Sequence, residues 1–185
     1  GSTPGSRSSN DCLDKAQFQI NQYRDMPGVI IRKGREEDLP AVLGLVHELA
    51  AYTGFSGHVE NTVARMKEDG FGPAPIYGLL VAEEEGAIVG TSIYYYRYST
   101  WKGKRLYLED LVVKEGERNK GIGKLLFEAT MKLAVAQGCS GLMWQVLDKN
   151  KSAIAFYKKY NTSFDQSFIN CNLDIRDIKK ILKKA

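Results

Sequence analysis

The stretch RNKGIGK, residues 118–124, places two glycines and several positive charges at the start of a helical pattern. Glycine is a poor helix former, and a helix N-terminus carries unpaired N–H groups with a partial positive charge. Gly121 and Gly123 would leave those groups uncovered, and Arg118, Lys120 and Lys124 add charge around them. The stretch therefore predicts either an ordinary basic turn or an anion site suited to a pyrophosphate.

Two adjacent carboxylates, Glu109 and Asp110, lie inside the apolar stretch LYLEDLVV. Burying a carboxylate costs free energy unless it is paired, so the pair indicates either an amine-binding site or a structural ion pair. Neighbouring side chains of a regular strand point to opposite faces. Only one of the two is therefore expected to face a cleft directly, unless a β-bulge intervenes.

Tyr157, in the helical stretch AIAFYKKY, has a phenol that can donate a proton, although Phe156 and Ile154 beside it also suit a core tyrosine. Asn150 begins the same helix and is a good N-cap residue. The two histidines and three scattered cysteines form no metal-ligand pattern, so no metal site is predicted.

The elements that must position these residues alternate along the chain in the order β-α-α-β-β-β-α-β-α-β, followed by a short helix. The predicted strands include VIIR, IYGLLVAEE, AIVGTSIYYYRYS, RLYLEDLVV, GLMWQVL and SFINCNLDI. Short turns join the middle strands, which predicts antiparallel pairing, whereas helices separate the later strands, of which two can be parallel. A Rossmann domain is disfavoured because no phosphate-binding glycines follow the first strand.

The composition is that of a globular protein, with 185 residues, 43% hydrophobic and 26% charged. No apolar run reaches the roughly 18 residues of a membrane span, and the odd cysteine count favours a reducing, cytoplasmic setting. The net charge of +4 comes largely from C-terminal lysines, which favours a solvated helix over a nucleic-acid surface. We expect residues 1–25 to be a disordered extension or an added tail, and residues 26–185 to form one domain.

The RxxGxG pattern after an acidic strand, with Asn and Tyr on a later helix, resembles the GNAT superfamily of acetyl-CoA-dependent N-acetyltransferases. The resemblance spans about residues 29–175. Six blocks resemble the diamine acetyltransferases in order and spacing, and the block containing YSTWKGK and YLED is more similar to the thialysine type. The blocks are HELAAY, EDGFG, LLVAEE, IYYYRYSTWKGKRLYLEDLVV, RNKGIGKLL and AIAFYKKY.

The resemblance implies an α/β fold of the α+β type, a single domain with a mixed, mostly antiparallel sheet. It implies acetyl-CoA as co-substrate, a small-molecule amine as acceptor, no metal, and a homodimer. It gives Tyr157 the role of general acid, Glu109 that of base and Asp110 that of amine-binding partner. Trp101 and Tyr52 match positions near the acceptor, with ordinary packing as the alternative. The residues implied in coenzyme binding are Leu111, Val112, Val113, Arg118, Asn119, Lys120, Gly121, Ile122, Gly123, Lys124, Asn150, Ala153, Tyr157 and Lys158.

The sequence departs from the polyamine enzymes at places where those enzymes have acids. Thr53, Ser56, Ser99 and Ser167 stand there instead, so we predict a smaller acceptor such as thialysine, a lysine-like amino acid or a short diamine. The alternatives are a polyamine acetyltransferase, a protein lysine or N-terminal acetyltransferase, and a non-catalytic acyl-CoA-binding protein. Asn161 stands where relatives usually have glycine, and asparagine tolerates the left-handed conformation that such a turn needs.

Overall fold

The computed structural model describes residues 27–183, and the predicted tail of residues 1–25 lies outside them. The described chain divides into two compact units, the first ending at Leu147 and the second beginning at Asp148. Within residues 27–183, no helix is both long enough and apolar enough to span a bilayer.

The first unit is a five-stranded sheet with helices, and its strands follow one another in chain order, β1-β2-β3-β4-β5. The first three pairings are antiparallel, and β4 pairs with β5 in parallel. These findings confirm the predicted mixed sheet. The elements are β1 (Val29–Lys33), α1 (Leu39–Thr53), α2 (Val63–Phe71), β2 (Gly78–Glu84), β3 (Ala87–Ser99), β4 (Gly103–Val113), α3 (Ile122–Ala136) and β5 (Leu142–Trp144).

A two-residue turn joins β2 to β3 and fixes their register. Glu85 and Gly86 both have positive φ angles, 49° and 80°, as a type I′ hairpin turn requires. The turn thus follows from the sequence EEEG, in which glycine takes the second left-handed position without steric cost.

The two faces of the sheet have separate apolar cores. On one face, Leu80 and Leu106 pack with Leu126 of α3. On the other face, residues of α1 and α2 pack against Leu79, Val81 and Ile93. Side chains alternate along β3, and the face that buries Ile93 continues through half-buried Tyr95 to exposed Arg97. The far end of the β3–β4 hairpin therefore extends beyond this core.

The second unit contains α4 (Lys151–Lys158) and α5 (Ile175–Leu182). The predicted strand SFINCNLDI is wrong, because residues 167–174 have no regular structure and Phe168 and Ile169 are 78% and 88% exposed. A strand needs a partner for its backbone groups, and the described part of this unit contains no other strand. The predicted strand GLMWQVL is correct in position but shorter, since β5 has only three residues.

Candidate functional site

The loop between β4 and α3 presents a run of unpaired backbone donors. The N–H groups of residues 119–124 have no hydrogen-bond acceptor within residues 27–183, and the first N–H of this region to be satisfied is that of Leu125, on Gly121 O at 3.1 Å. Asn119 and Gly121 have φ angles of 65° and 90°, and alternation with left-handed residues turns successive N–H groups towards one concavity. Together with the positive end of α3, this arrangement forms a site for an anion.

The two glycines of the loop have different reasons to be glycine. Gly121 has a left-handed φ, which a side chain would strain. A Cβ at Gly123 would meet only Val113 Cγ2, at an ordinary contact distance of 3.6 Å, so protein packing does not require glycine there. A ligand that approaches the amides does require it, and this fits the predicted pyrophosphate of a coenzyme.

Arg118, which precedes the glycines, is held by two groups of the first unit. Its Nε donates to Val113 O at 3.0 Å, and its guanidinium lies 4.7 Å from the ring centroid of Tyr52. Tyr52 belongs to α1, so this cation–π contact joins α1 to the anion loop. The structure thus brings together a residue predicted for the coenzyme and one predicted for the acceptor.

The two lysines of the loop also have carboxylate partners. Lys120 donates to Glu117, and this contact raises the pKa of Lys120 and lowers that of Glu117. Lys124 Nζ lies 3.9 Å from Glu128 Oε1. The lysine charges are therefore partly balanced by protein groups, whereas the backbone amides of the loop remain available.

A β-bulge in β4 lies at the predicted carboxylate pair. Ile93 pairs with Asp110, whereas the next residue, Tyr94, pairs with Leu108, so Glu109 is the extra residue. A bulge interrupts the alternation of side chains, and Asp110 therefore shares the Ile93 face with Tyr107. The sequence predicts that only one carboxylate faces a cleft, unless a β-bulge intervenes. The bulge is present, so that prediction does not apply to this strand.

The two carboxylates differ in their environment. Glu109 is exposed, whereas Asp110 is half-buried. Burial, followed by the negative charge of Glu109, raises the pKa of Asp110 from 3.8 to about 6. A carboxyl group with a pKa near neutrality can bind an ammonium ion or exchange a proton under ordinary conditions.

The residues predicted to hold a coenzyme through their backbone lie at the end of β4. Leu111, Val112 and Val113 pair with β3, and β5 reaches only as far as Leu108 along the other edge. Val113 O accepts the bond from Arg118. Ile122, also predicted for this site, is 1% exposed and anchors the first turn of α3 in the core.

The remaining predicted coenzyme residues lie in the second unit. Asn150 is the N-cap of α4, and its side chain accepts from the Ala153 N–H at 3.2 Å, which confirms the predicted capping. Tyr157 is 7% exposed and its ring contacts Phe156, with centroids 5.2 Å apart. Lys158 is exposed at the end of the helix.

Trp101 occupies the tip of the β3–β4 hairpin and is 88% exposed. Ser99 accepts hydrogen bonds from the Trp101 and Lys102 N–H groups at 3.3 and 3.2 Å. Its hydroxyl shapes the turn. Among residues 27–183, no group of three histidines, cysteines or acids could hold a metal ion.

A further group near the carboxylates was not singled out from the sequence. Tyr95 and Tyr107 are neighbours across the strands, with ring centroids 4.9 Å apart, and Arg97 and Arg105 are the next pair on the same face. The alternation within YYYRYS and KRLYLED contains this arrangement, although it becomes visible only with the strand register.

Comparisons with known proteins show the family and the fold of this chain. A model of the acetyltransferase (GNAT) family matches residues 45–161. A thialysine N-epsilon-acetyltransferase of Bos taurus is 41% identical over 72% of this chain and 83% of its own length. The human spermidine/spermine N(1)-acetyltransferase-like protein 1 is 34% identical over 69% of this chain and 19% of its own length. An integron cassette protein of V. cholerae has the same fold, with a TM-score of 0.69, 21% identity and coverage of 85% and 99% of the two chains.

Proposed function

This chain belongs to the GNAT family of acetyltransferases, and on that premise we propose that it transfers the acetyl group of acetyl-CoA to the primary amine of a small amino acid or short diamine. The observation that carries the proposal is that β4 bears a carboxylate pair and is followed, after residues 114–118, by six amides that have no acceptor within residues 27–183. The amides suit the pyrophosphate of the donor, and the carboxylates suit a cationic acceptor.

The residues of the loop fit coenzyme A by charge and by space. When bound, the coenzyme supplies an acetyl thioester, which is open to attack by an amine. The N–H groups of residues 119–124 would hold its pyrophosphate, and the bare Cα of Gly123 would let the phosphate approach. Arg118 is placed beside these amides by Val113 O and Tyr52.

The carboxylates prepare the acceptor amine. An alkylamine has a pKa near 10 and is mostly protonated at neutral pH, so it must lose a proton before it can attack. We assign the binding of the ammonium to Asp110 and the removal of its proton, directly or through water, to Glu109. The exposure of Glu109 gives that proton a route to solvent.

Tyr157 is assigned the general acid that gives a proton to the leaving sulfur. This assignment is supported by the match of AIAFYKKY to the family's tyrosine helix. A phenol O–H is a hydrogen-bond donor and can pass its proton to the sulfur.

A thiol-release assay with acetyl-CoA tests the proposal across a panel of amines. The panel contains L-thialysine, L-lysine, 1,5-diaminopentane, spermidine, spermine and a lysine peptide. We expect the highest kcat/KM with the amino acids. A far higher kcat/KM with spermine would instead support a polyamine acetyltransferase, in line with the name of the human relative.

Tyr157→Phe tests the general acid in the same assay. General acid–base catalysis contributes roughly 10²–10⁴-fold, so we expect kcat to fall by about that range. Tyr160→Phe is the matched control, because it removes a phenol just beyond the same helix while keeping the ring beside Phe156. Unchanged turnover in Tyr157→Phe would remove this residue from the mechanism.

A homodimer and a cytoplasmic location remain predictions from the sequence.

A further inference from the structure

Two arginines face each other on the β3–β4 hairpin. The strand register places Arg97 directly opposite Arg105, and like charges in this position destabilise a sheet. Neither guanidinium forms an ion pair with an acid within residues 27–183. The repulsion between the two is therefore not offset by a carboxylate of the described chain.

The contacts that these arginines do make are weak or incomplete. Arg97 Nη1 donates to Met143 Sδ at 3.2 Å, and a thioether is a weak acceptor. Arg105 Nη2 donates to Leu142 O at 3.2 Å, while its buried Nε has no acceptor among the described residues. A guanidinium has five N–H donors in a fork that matches a carboxylate, so most of the donor capacity of the pair is unused.

The same face leads from the arginines to the carboxylate pair. Tyr95 and Tyr107 come next, and the bulge with Glu109 follows. Burial raises the pKa of Tyr95 and of Tyr107, the charge of Glu109 raises both further, and the charge of Arg97 lowers both. The two tyrosines thus lie between a positive and a negative group.

The backbone separation along the hairpin is similar to the length of a lysine-like acceptor. Ile93 and Arg97, which pair with Asp110 and Arg105, are four residues apart on β3, which is about 13 Å at 3.3 Å per residue. The six bonds between the terminal amine and the carboxyl carbon of lysine extend about 7.5 Å, at bond lengths near 1.5 Å. One hydrogen bond of about 3 Å at each end brings the total to about 13.5 Å.

We propose that Arg97 and Arg105 bind the α-carboxylate of an amino-acid acceptor whose terminal amine lies at Glu109 and Asp110. The proposal rests on the proposed function for the identity of the reacting amine. It adds a subsite that selects amino acids against diamines and polyamines, because those amines have no carboxylate and place a second cation beside two guanidinium groups. The alkyl part of the acceptor lies along half-buried Tyr95.

The test compares L-lysine with 1,5-diaminopentane, which has the same chain without the carboxylate. In the wild-type protein, kcat/KM is higher for L-lysine. Charge-assisted hydrogen bonds contribute about 1.5–3 kcal/mol, so Arg97→Gln should lower kcat/KM for L-lysine about 10- to 100-fold, mainly through KM. The value for 1,5-diaminopentane should stay the same or rise, and the double variant with Arg105→Gln should abolish the preference.

Lys102→Gln is the matched control, since it removes one exposed positive charge from the same hairpin and should leave the preference intact. An unchanged ratio in Arg97→Gln, or an equal change in Lys102→Gln, overturns the proposal. Melting curves show whether each variant is folded. If the Arg105→Gln variant is unstable, the single variant Arg97→Gln, at an exposed position, provides the test.

Calorimetry provides a readout that does not depend on acetyl transfer. L-lysine should bind the wild-type protein, and its affinity for Arg97→Gln should be at least tenfold lower. The affinity of 1,5-diaminopentane should be the same for both proteins. If no amine is acetylated, the proposed function fails, while lysine binding that depends on Arg97 still supports the carboxylate subsite. Binding of L-lysine that is equal in both proteins, or absent from the wild type, overturns the subsite even if acetylation occurs.

Discussion

The ionised form of Asp110 destabilises the folded protein, so Asp110→Asn should be more stable than the wild type at alkaline pH. Burial and the charge of Glu109 raise the pKa of Asp110 from 3.8 to about 6 in the folded state. A shift of about two units corresponds to about 3 kcal/mol at 1.36 kcal/mol per unit. The full effect is present at pH 8, where the folded and unfolded states are both ionised.

The sign of the effect of Asp110 on the free energy of unfolding follows from the two protonation states. Between pH 3.8 and about 6, the folded state keeps a proton that the unfolded state has lost, so the contribution of Asp110 to stability becomes more favourable as the pH falls. We therefore expect Asp110→Asn to exceed the wild type by up to about 3 kcal/mol at pH 8 and by about half of that at pH 5. Urea unfolding, followed by tryptophan fluorescence, measures both differences.

The control for this measurement is Asp148→Asn, which changes an exposed carboxylate and should give the same small difference at both pH values. Asp110→Asn should also lose acetyl transfer, because a neutral amide does not attract the acceptor ammonium. The reasoning would be refuted by an Asp110→Asn variant that is no more stable than the wild type at pH 8, or by a difference that does not shrink at pH 5.

Three further perturbations test the site. Glu109→Gln removes the charge that helps to raise the pKa of Asp110, so the acidic limb of the residual kcat/KM profile should move to lower pH, and an unmoved limb would contradict the coupling. Gly121→Ala should lower stability by about 1–2 kcal/mol because of its left-handed φ, whereas Gly123→Ala should keep the melting temperature and weaken CoA binding in calorimetry. If Gly123→Ala bound CoA as tightly as the wild type, the proposed role of this loop in binding the pyrophosphate would be refuted. Tyr52→Leu should raise KM for acetyl-CoA about two- to fivefold through the lost contact with Arg118, while Tyr52→Phe should not. A rise in the acceptor KM alone would instead assign Tyr52 to the acceptor.

The sheet of the first unit could be predicted because its signals are local. The apolar runs of β2 and β3, the EEEG turn between them and the glycine after α3 each define an element within a few residues. The glycine loop could also be identified, since a helix that begins with Gly121 and Gly123 contradicts helix propensity. Such a contradiction is most often found at a functional site.

The bulge at Glu109 could not be predicted, because it depends on how β3 and β4 pair rather than on either strand alone. The same register brings Arg97 opposite Arg105, and no local sequence pattern indicates a role for either residue. SFINCNLDI failed for the opposite reason: its local pattern resembles a strand, but strand formation also needs a partner, which no local pattern shows. The contact between Tyr52 and Arg118 joins residues far apart in the chain and likewise requires the tertiary structure.

The ion pair between Lys120 and Glu117 has a consequence for the chemical durability of the protein. A site that holds an activated acyl group exposes its own amines to unwanted acylation, and only a neutral amine has the lone pair needed to attack. Because Glu117 raises the pKa of Lys120, the neutral fraction of this amine is smaller than that of an unpaired lysine. The backbone amides that form the loop cannot be acylated in this way at all. In this loop, the amides and Lys120 thus provide positive potential for the donor with little tendency to be acylated.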